Sequence, residues 1–487
     1  MRLSYIFTSL ILVLRCIALV ILAPIAVALY YHDYTSVLPF ITASLISLVL
    51  SFVLDIFFRK KSESFESLND IKKGEALCVV TLSWVLFGII AMIPYIYFGL
   101  SPLNALFESV SGITTTGATI LTKFDYPKAM FFWRSMSQWL GGMGIIVLFI
   151  AILPQFAVAG RQMFFAEAPG PTEDKITPRI RHTASAVWTI YIIVTALEIL
   201  FLKLAGMPLF DAFCNSFSTL AGGGFSPNPI SIMGYHSNLI CWIMNVFMII
   251  AGANFAIIYK SYLAKSPLLL FKDEEFRVYL YIIIVFSFLI ALVLYFQNAY
   301  HIFDAITASV FQVVTVMITA GFASVDFAQW TLPAKMLLFV LFFCGACAGS
   351  AGGGMKVVRW IFLFKYLRRE IAKILHPNAV YPIKINKNIL PPEVIQQILA
   401  FILFYFIIFG ISAFIISILE NSTMIGVTGS ITTLGNIGPG FGIIGPMGSF
   451  DILHPVSKII CIFNMLVGRL ELIPFLAMLH PDFWNIK

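Results

Sequence analysis

Long apolar runs alternate along this chain with short polar segments, and the runs are of membrane length. They fall at roughly 5–31, 37–58, 75–100, 130–155, 184–206, 237–259, 276–297, 334–375, 393–420 and 455–478. A helix crosses hydrocarbon with about 20 residues, so the pattern predicts ten crossings, of which only 334–375 is interrupted. Between pairs of crossings a short Thr- and Gly-rich segment recurs four times: TTTGA at Thr114–Ala118, GGGF at Gly222–Phe225, TAGF at Thr319–Phe322 and NIGPG at Asn436–Gly440. One glycine stands at the heart of each: Gly117, Gly224, Gly321 and Gly438. They lie about one hundred residues apart, too far for solenoid repeats and suited to a helix, loop, helix module.

Ahead of each glycine is an apolar, helix-competent half-span: Ala105–Ser111, Ala212–Ser218, Ser309–Thr315 and Met424–Thr432. A short re-entrant helix there turns its negative C-terminal end toward the glycine segment, which favours a cation. Dehydrating a cation requires a set of oxygens, and backbone carbonyls supply them where glycine lets successive C=O groups aim at one axis. Non-helical backbone at membrane depth is tolerated only where it lines a wet cavity or is buried in protein. The expected fold is therefore all-α and polytopic, with four pseudo-repeated helix, pore loop, helix modules around one central pore and two N-terminal transmembrane helices.

The expected divisions are 1–73 for the two-helix region, 74–160 for the first module, 161–272 for a cytoplasmic linker and the second, 273–387 for the third and 388–487 for the fourth. The candidate cation filter is Thr115, Thr116, Gly117; Gly222, Gly223, Gly224; Thr319, Ala320, Gly321; and Asn436, Ile437, Gly438. Aligned on the glycines, Ser111, Ser218, Thr315 and Thr432 share one place, where hydroxyls are expected to tie the pore helix to its strand. Any one segment read alone is equally a small-residue contact between crossing helices. Four copies, each between two crossings, favour a pore.

Composition agrees with the membrane reading, because 60% of the 487 residues are hydrophobic and 11% charged. The net charge of +7 is concentrated in every second loop, as in Arg59–Lys61, Arg161 to Arg181, Lys260 to Arg277 and Arg359 to Lys387. Lys and Arg are retained on the cytoplasmic side, so the charge is an orientation signal rather than a nucleic-acid footprint. Both termini are expected inside and all four glycine segments outside. The apolar first 31 residues carry Arg15 and lack a clear cleavage site, so they are read as a retained helix. Seven histidines are scattered with no HExxH spacing and the seven cysteines sit mostly in apolar stretches, Cys344 and Cys347 included. No enzyme, organic cofactor or redox pair is expected.

The interruption at 345–354 contains Gly345, Gly349, Gly352, Gly353 and Gly354 and no large side chain, a composition that builds no stable helix. Beneath the third filter segment it reads as a mobile gate; the bland alternative is a helix-packing seam. A nucleotide P-loop is excluded, since lysine arrives one residue late, at Lys356, and Val357 replaces Ser or Thr. A charge inside a crossing is costly and defaults to function. Arg469 is accordingly placed under the filter as a barrier to cations, with a structural tie to carbonyls as the alternative. Lys356 and Arg359 are expected to snorkel or dock a partner, and Arg15 has no evident role.

The phrases SGITTTGA (111–118), QWLGGMG (138–144), GACAGS (345–350) and NIGPG (436–440) resemble the potassium-uptake superfamily of TrkH, KtrB and the plant HKT transporters, most closely its TrkH branch. The resemblance covers essentially the whole chain. It implies a homodimer in a bacterial inner membrane, potassium ions in the filter, the gate and Arg469 roles above, and a cytoplasmic nucleotide-binding regulatory subunit of the TrkA kind. Sodium-selective plant members carry serine at the first key position, where this chain has Gly117, so potassium is the expected cargo. None of the segments matches the TVGYG of dedicated potassium channels. An ion-coupled transporter with alternating access is the competing class, and coupling to H+ or Na+ leaves no residue signature here. The proline-rich 168–175 is read as either a contact for the regulatory subunit or a solvated linker.

Overall fold

The computed structural model describes residues 3–59, 73–144, 180–297, 300–386, 388–472, 475, 478 and 480–484. The expected linker at 161–182, with its segment 168–175, lies outside the described residues up to 179. The first helices are α1 (Leu3–Val20), α2 (Ala23–Tyr30) and α3 (Val37–Arg59), with α1 packed against α3. Ser44 and Ser47 of α3 donate to the carbonyls of Ala18 and Leu14 at 2.8 and 2.7 Å, which draws two apolar helices together without a hydrophobic driving force. Arg15 has a role after all: it bonds Ser51 at 3.1 Å and pairs with Asp55 at 3.0 Å across the same interface.

Four units of like construction follow, each an outer helix, a half-length pore helix, a glycine segment and an inner helix. The first comprises α4 (Lys73–Ala91) with α5 (Ile93–Tyr97), α6 (Pro102–Ile113) and α7 (Lys128–Gly142). The second has α8 (Ile180–Leu204), α9 (Leu209–Ala221), α10 (Asn238–Ala251) and α11 (Phe255–Leu263). The third has α12 (Glu274–Phe296), α13 (Ile302–Met317), α14 (Leu332–Leu341) and α15 (Val357–Leu375). A two-stranded antiparallel hairpin, β1 (Lys384–Ile385) and β2 (Asn388–Ile389), leads to the fourth: α16 (Pro392–Leu419), α17 (Thr423–Leu434) and α18 (Pro455–Arg469). The four predicted half-spans thus lie within or overlap α6, α9, α13 and α17.

Among the described residues, six helices are long and apolar enough to cross a membrane, and they are the two N-terminal spans and the four outer helices. They carry large exposed apolar side chains, such as Phe52, Tyr281, Phe288, Leu403 and Phe414, as helices in contact with lipid do. The inner helices depart from the expected uninterrupted crossings. α7, α10, α14 and α18 hold 15, 14, 10 and 15 residues. At 1.5 Å per residue these reach at most about 22 Å, short of the ~30 Å of hydrocarbon. The sequence predicted one broken helix; a second stands at Gly252–Asn254, where α10 and α11 meet at 92°. α18 ends where Glu471 and Leu472 take positive φ.

Two inner helices, α7 and α18, stop where they meet the ends of pore helices. A Cβ on Gly141 would lie 1.8 Å from the Ile113 carbonyl of α6, and one on Gly468 would lie 2.0 Å from the Leu434 carbonyl of α17. Only glycine lets these backbones approach so closely, which explains glycine within the QWLGGMG phrase.

Candidate functional site

Each pore helix ends in the same turn. Thr116, Gly223, Ala320 and Ile437 donate their N–H groups to the carbonyls of Ser111, Ser218, Thr315 and Thr432 at 2.9, 2.9, 2.7 and 2.8 Å. One residue earlier, Thr115, Gly222, Thr319 and Asn436 donate to Gly112, Thr219, Val316 and Thr433 at 3.0, 3.1, 2.9 and 3.3 Å. This bond pair is a Schellman motif, which requires its last-but-one residue to be left-handed. Accordingly φ is 55° at Thr115, 66° at Gly222, 61° at Thr319 and 53° at Asn436. Threonine is β-branched and strained there, so two of the four turns are held by their surroundings.

The next residue returns to negative φ, and the key glycine is left-handed again, with φ of 79°, 73°, 74° and 98° for Gly117, Gly224, Gly321 and Gly438. Alternation of this kind collects N–H groups on one side of the strand and carbonyls on the other. The N–H groups already named are taken by the pore helices.

The four segments close on one another in chain order. A Cβ on Gly117 would lie 2.1 Å from the Gly223 carbonyl oxygen; on Gly224, 1.9 Å from that of Ala320; on Gly321, 2.1 Å from that of Ile437; and on Gly438, 2.6 Å from that of Thr116. The last contact returns to the first segment. These contacts bring the last two predicted residues of each segment into one ring, with Thr115, Gly222, Thr319 and Asn436 in the turns just before it, and a cavity of about 60 Å³ is lined by Gly117, Gly224, Gly321 and Pro439.

The glycine loop lies against the helix ends of this ring. A Cβ on Gly352 would be 2.7 Å from the Ile318 carbonyl, and one on Gly353 would be 2.8 Å from Cβ of Asn436. The Gly353 N–H donates to Oγ1 of Thr319 at 2.6 Å. On its flank, Cys347 and Ala351 donate to the Gly252 and Ala251 carbonyls at 3.1 and 3.2 Å, so the loop is laced to the break between α10 and α11. Arg469 spans three carbonyls, reaching Ala351 at 2.9 Å and Gly141 and Gly142 at 2.5 and 2.9 Å. Lys356 donates to the Gly352 carbonyl, and Arg359 pairs with Glu471 and stacks over the Phe401 ring. Neither snorkels to a surface, which corrects that alternative of the sequence expectation for both. Cys344 and Cys347 are free thiols.

Comparison with known proteins places this geometry. The TrkH family, described as cation transport protein, matches residues 48–482. The chain belongs to the TrkH family. The Trk system potassium uptake protein TrkH of Salmonella typhimurium is 40% identical over 86% of this chain and 87% of its own length. TrkH of Vibrio parahaemolyticus is 36% identical over 97% and 98%, and TrkG of Escherichia coli 30% identical over 96% of each. The crystal structure of the potassium transporter TrkH from Vibrio parahaemolyticus superposes with a TM-score of 0.89 at 34% identity, covering 99% of this chain and 100% of that one.

Within this TrkH-type fold the sequence reading missed the side chains that clip the ring together. Gln138 of α7 donates Nε2 to the Gly223 carbonyl at 2.6 Å and accepts from the Phe225 N–H at 3.1 Å, occupying the space a Cβ on Gly223 would need. Glu108 and Arg134 form a buried pair at 2.7 Å, 0% and 2% exposed. Glu108 accepts from the Ile120 N–H at 2.9 Å, while the Arg134 guanidinium lies 4.0 Å over the Phe225 ring, so one pair braces two segments. Asn436 donates to Oγ1 of Thr116 at 2.9 Å and to the Met465 carbonyl at 3.0 Å, tying the fourth segment to the first and to α18. Charged residues on predicted apolar helices were the available signal for Glu108 and Arg134.

The hydroxyl expectation also needs correction. It is the backbone carbonyls of Ser111, Ser218, Thr315 and Thr432 that repeat the tie. Among the hydroxyls at those positions, that of Thr315 reaches its strand, accepting from the Phe322 N–H at 2.9 Å. In the fourth segment Thr428 does the equivalent, accepting from the Phe441 N–H at 3.2 Å.

Proposed function

We propose that this chain imports potassium across a bacterial inner membrane through a channel-like pore whose selectivity filter is the ring of four glycine segments. The observation that carries the reading is the closed ring, in which four left-handed glycines each pack on a carbonyl of the next segment and four helix C-termini converge. Carbonyls presented this way replace a cation's hydration shell. The relatives named above are potassium uptake proteins, which supports potassium as the cargo. Uptake down the membrane potential is worth about 2.3 kcal/mol per charge per 100 mV.

In this reading the loop at Gly345–Gly354 is the gate, and Arg469 clamps it to the end of α7 while adding a positive charge under the filter. Basic loops orient both termini to the cytoplasm. A nucleotide-binding subunit of the TrkA kind releases the loop from that side, and two copies of the chain make the transporter. Strict alternating access has less support, because the four units run in the same sense rather than as inverted repeats.

Potassium and sodium uptake by liposomes of the purified protein tests the reading. Wild type favours potassium, and deletion of Gly349–Gly353 raises the flux. Potassium uptake no faster than in protein-free liposomes, with the loop deleted, sinks it.

A further inference from the structure

Beyond its bonds to the filter, to Arg469, to Lys356 and to the α10–α11 break, the loop is tethered by a carboxylate. Glu275, in the first turn of α12 and 6% exposed, accepts from the Ala348 N–H at 2.8 Å and from the Val358 N–H at 2.9 Å through the same oxygen. Ala348 belongs to the first half of the loop, whereas Val358 is the second residue of α15, beyond its far end. A single carboxylate thereby pins the loop to the helix it leads into. The Val358 N–H is one of the amides a helix start leaves unpaired, and the positive end of α15 favours an anion there.

Glu275 stands on a fixed platform. Asp273 caps α12 by accepting from the Phe276 N–H at 2.8 Å. Asn386, in the turn of the β-hairpin, accepts from the Glu274 N–H at 2.8 Å and donates to Asp273 at 2.7 Å. Lys365 of α15 pairs with Glu274. α12, α15 and the hairpin are thus bound together, and Ala348 is the member of this cluster that lies in the glycine loop.

We propose that Glu275 is a positioning residue for the gate, a latch whose bond to the Ala348 N–H holds the loop shut and breaks when it opens. This rests on reading the loop as a gate. Its bond to Val358 survives opening, so the carboxylate is never stranded and the loop can re-close on it.

The test uses the full-length chain in liposomes without any regulatory subunit, and a variant in which Cys347 is the sole cysteine. Cys347 is a buried free thiol inside the loop, so its rate of modification by a water-soluble thiol reagent reports opening. Glu275→Ala should raise potassium flux and Cys347 labelling on the order of tenfold, as expected for losing a charge-assisted bond. The ratio of potassium to sodium flux should stay at the wild-type value. Glu275→Gln keeps an acceptor but loses the charge, and should fall between; it carries the labelling test if the alanine variant does not fold. With Gly349–Gly353 deleted, Glu275→Ala should add nothing. If the deletion raises flux while both Glu275 variants leave flux and labelling unchanged, the latch is overturned and the gate stands. If the deletion itself changes nothing, the gate falls and the latch with it. An equal effect of Glu275→Ala with and without the loop also overturns it.

Discussion

Replacing Gly117 with serine is the sharpest probe of the ring. Two costs arise at one atom. Gly117 sits at φ 79°, where an L-residue loses roughly 1–2 kcal/mol relative to glycine. The new Cβ would also stand 2.1 Å from the Gly223 oxygen, whereas side-chain carbons essentially never approach within 3.0 Å, so about 0.9 Å must be found. The Gly223 carbonyl cannot swing freely, because Gln138 holds it at 2.6 Å. The segment therefore shifts as a unit and one of four carbonyl positions is lost or displaced. We expect the potassium-to-sodium flux ratio in liposomes to fall on the order of tenfold, equivalent to about 1.4 kcal/mol of discrimination. Gly410→Ala is the control, since a Cβ there meets nothing within 4 Å. If Gly117→Ser matches the Gly410→Ala control in both flux and ratio, the packing argument is refuted and the glycines are ordinary helix-contact residues.

Removing Arg134 leaves Glu108 buried without its ion-pair partner, so Arg134→Ala should lower stability by about 3–5 kcal/mol, read as a fall in the thermal unfolding temperature in detergent. The double variant Glu108→Leu with Arg134→Met should recover much of that loss. Gln138→Glu can still accept from Phe225 but, when ionised, cannot donate to Gly223; it should reduce potassium selectivity while leaving loop labelling at Cys347 unchanged. Arg469→Ala should raise basal potassium flux, and Arg469→Lys should restore only part of the block, because a point-like ammonium cannot reproduce the fork that serves three carbonyls.

Much of this protein was legible before any coordinates. Apolar length, basic loop alternation and glycine punctuation are local properties of the chain, and bilayer thickness and charge asymmetry act on them directly. The six long spans and the four short helices ahead of the glycine segments follow from that reading. The breaks in the inner helices were less legible: Gly252 looks like any glycine in an apolar run until α10 and α11 are seen to bend around the loop. Thr115 and Thr319 take left-handed backbone against their β-branched preference, because Schellman bonds and neighbouring segments over-determine them, whereas Asn436 accepts that conformation readily. The clips by Gln138, Arg134 and Asn436 join residues far apart in the chain, as Asn436 does to Thr116. Local periodicity carries no record of such pairs, since it reports which face of an element is buried and not what it is buried against. The sequence alone determined that four glycine segments would each follow a short apolar helix, because that pattern is local; tertiary packing decided their order around the ring, the side chains that brace it and the tethers that hold the loop against it.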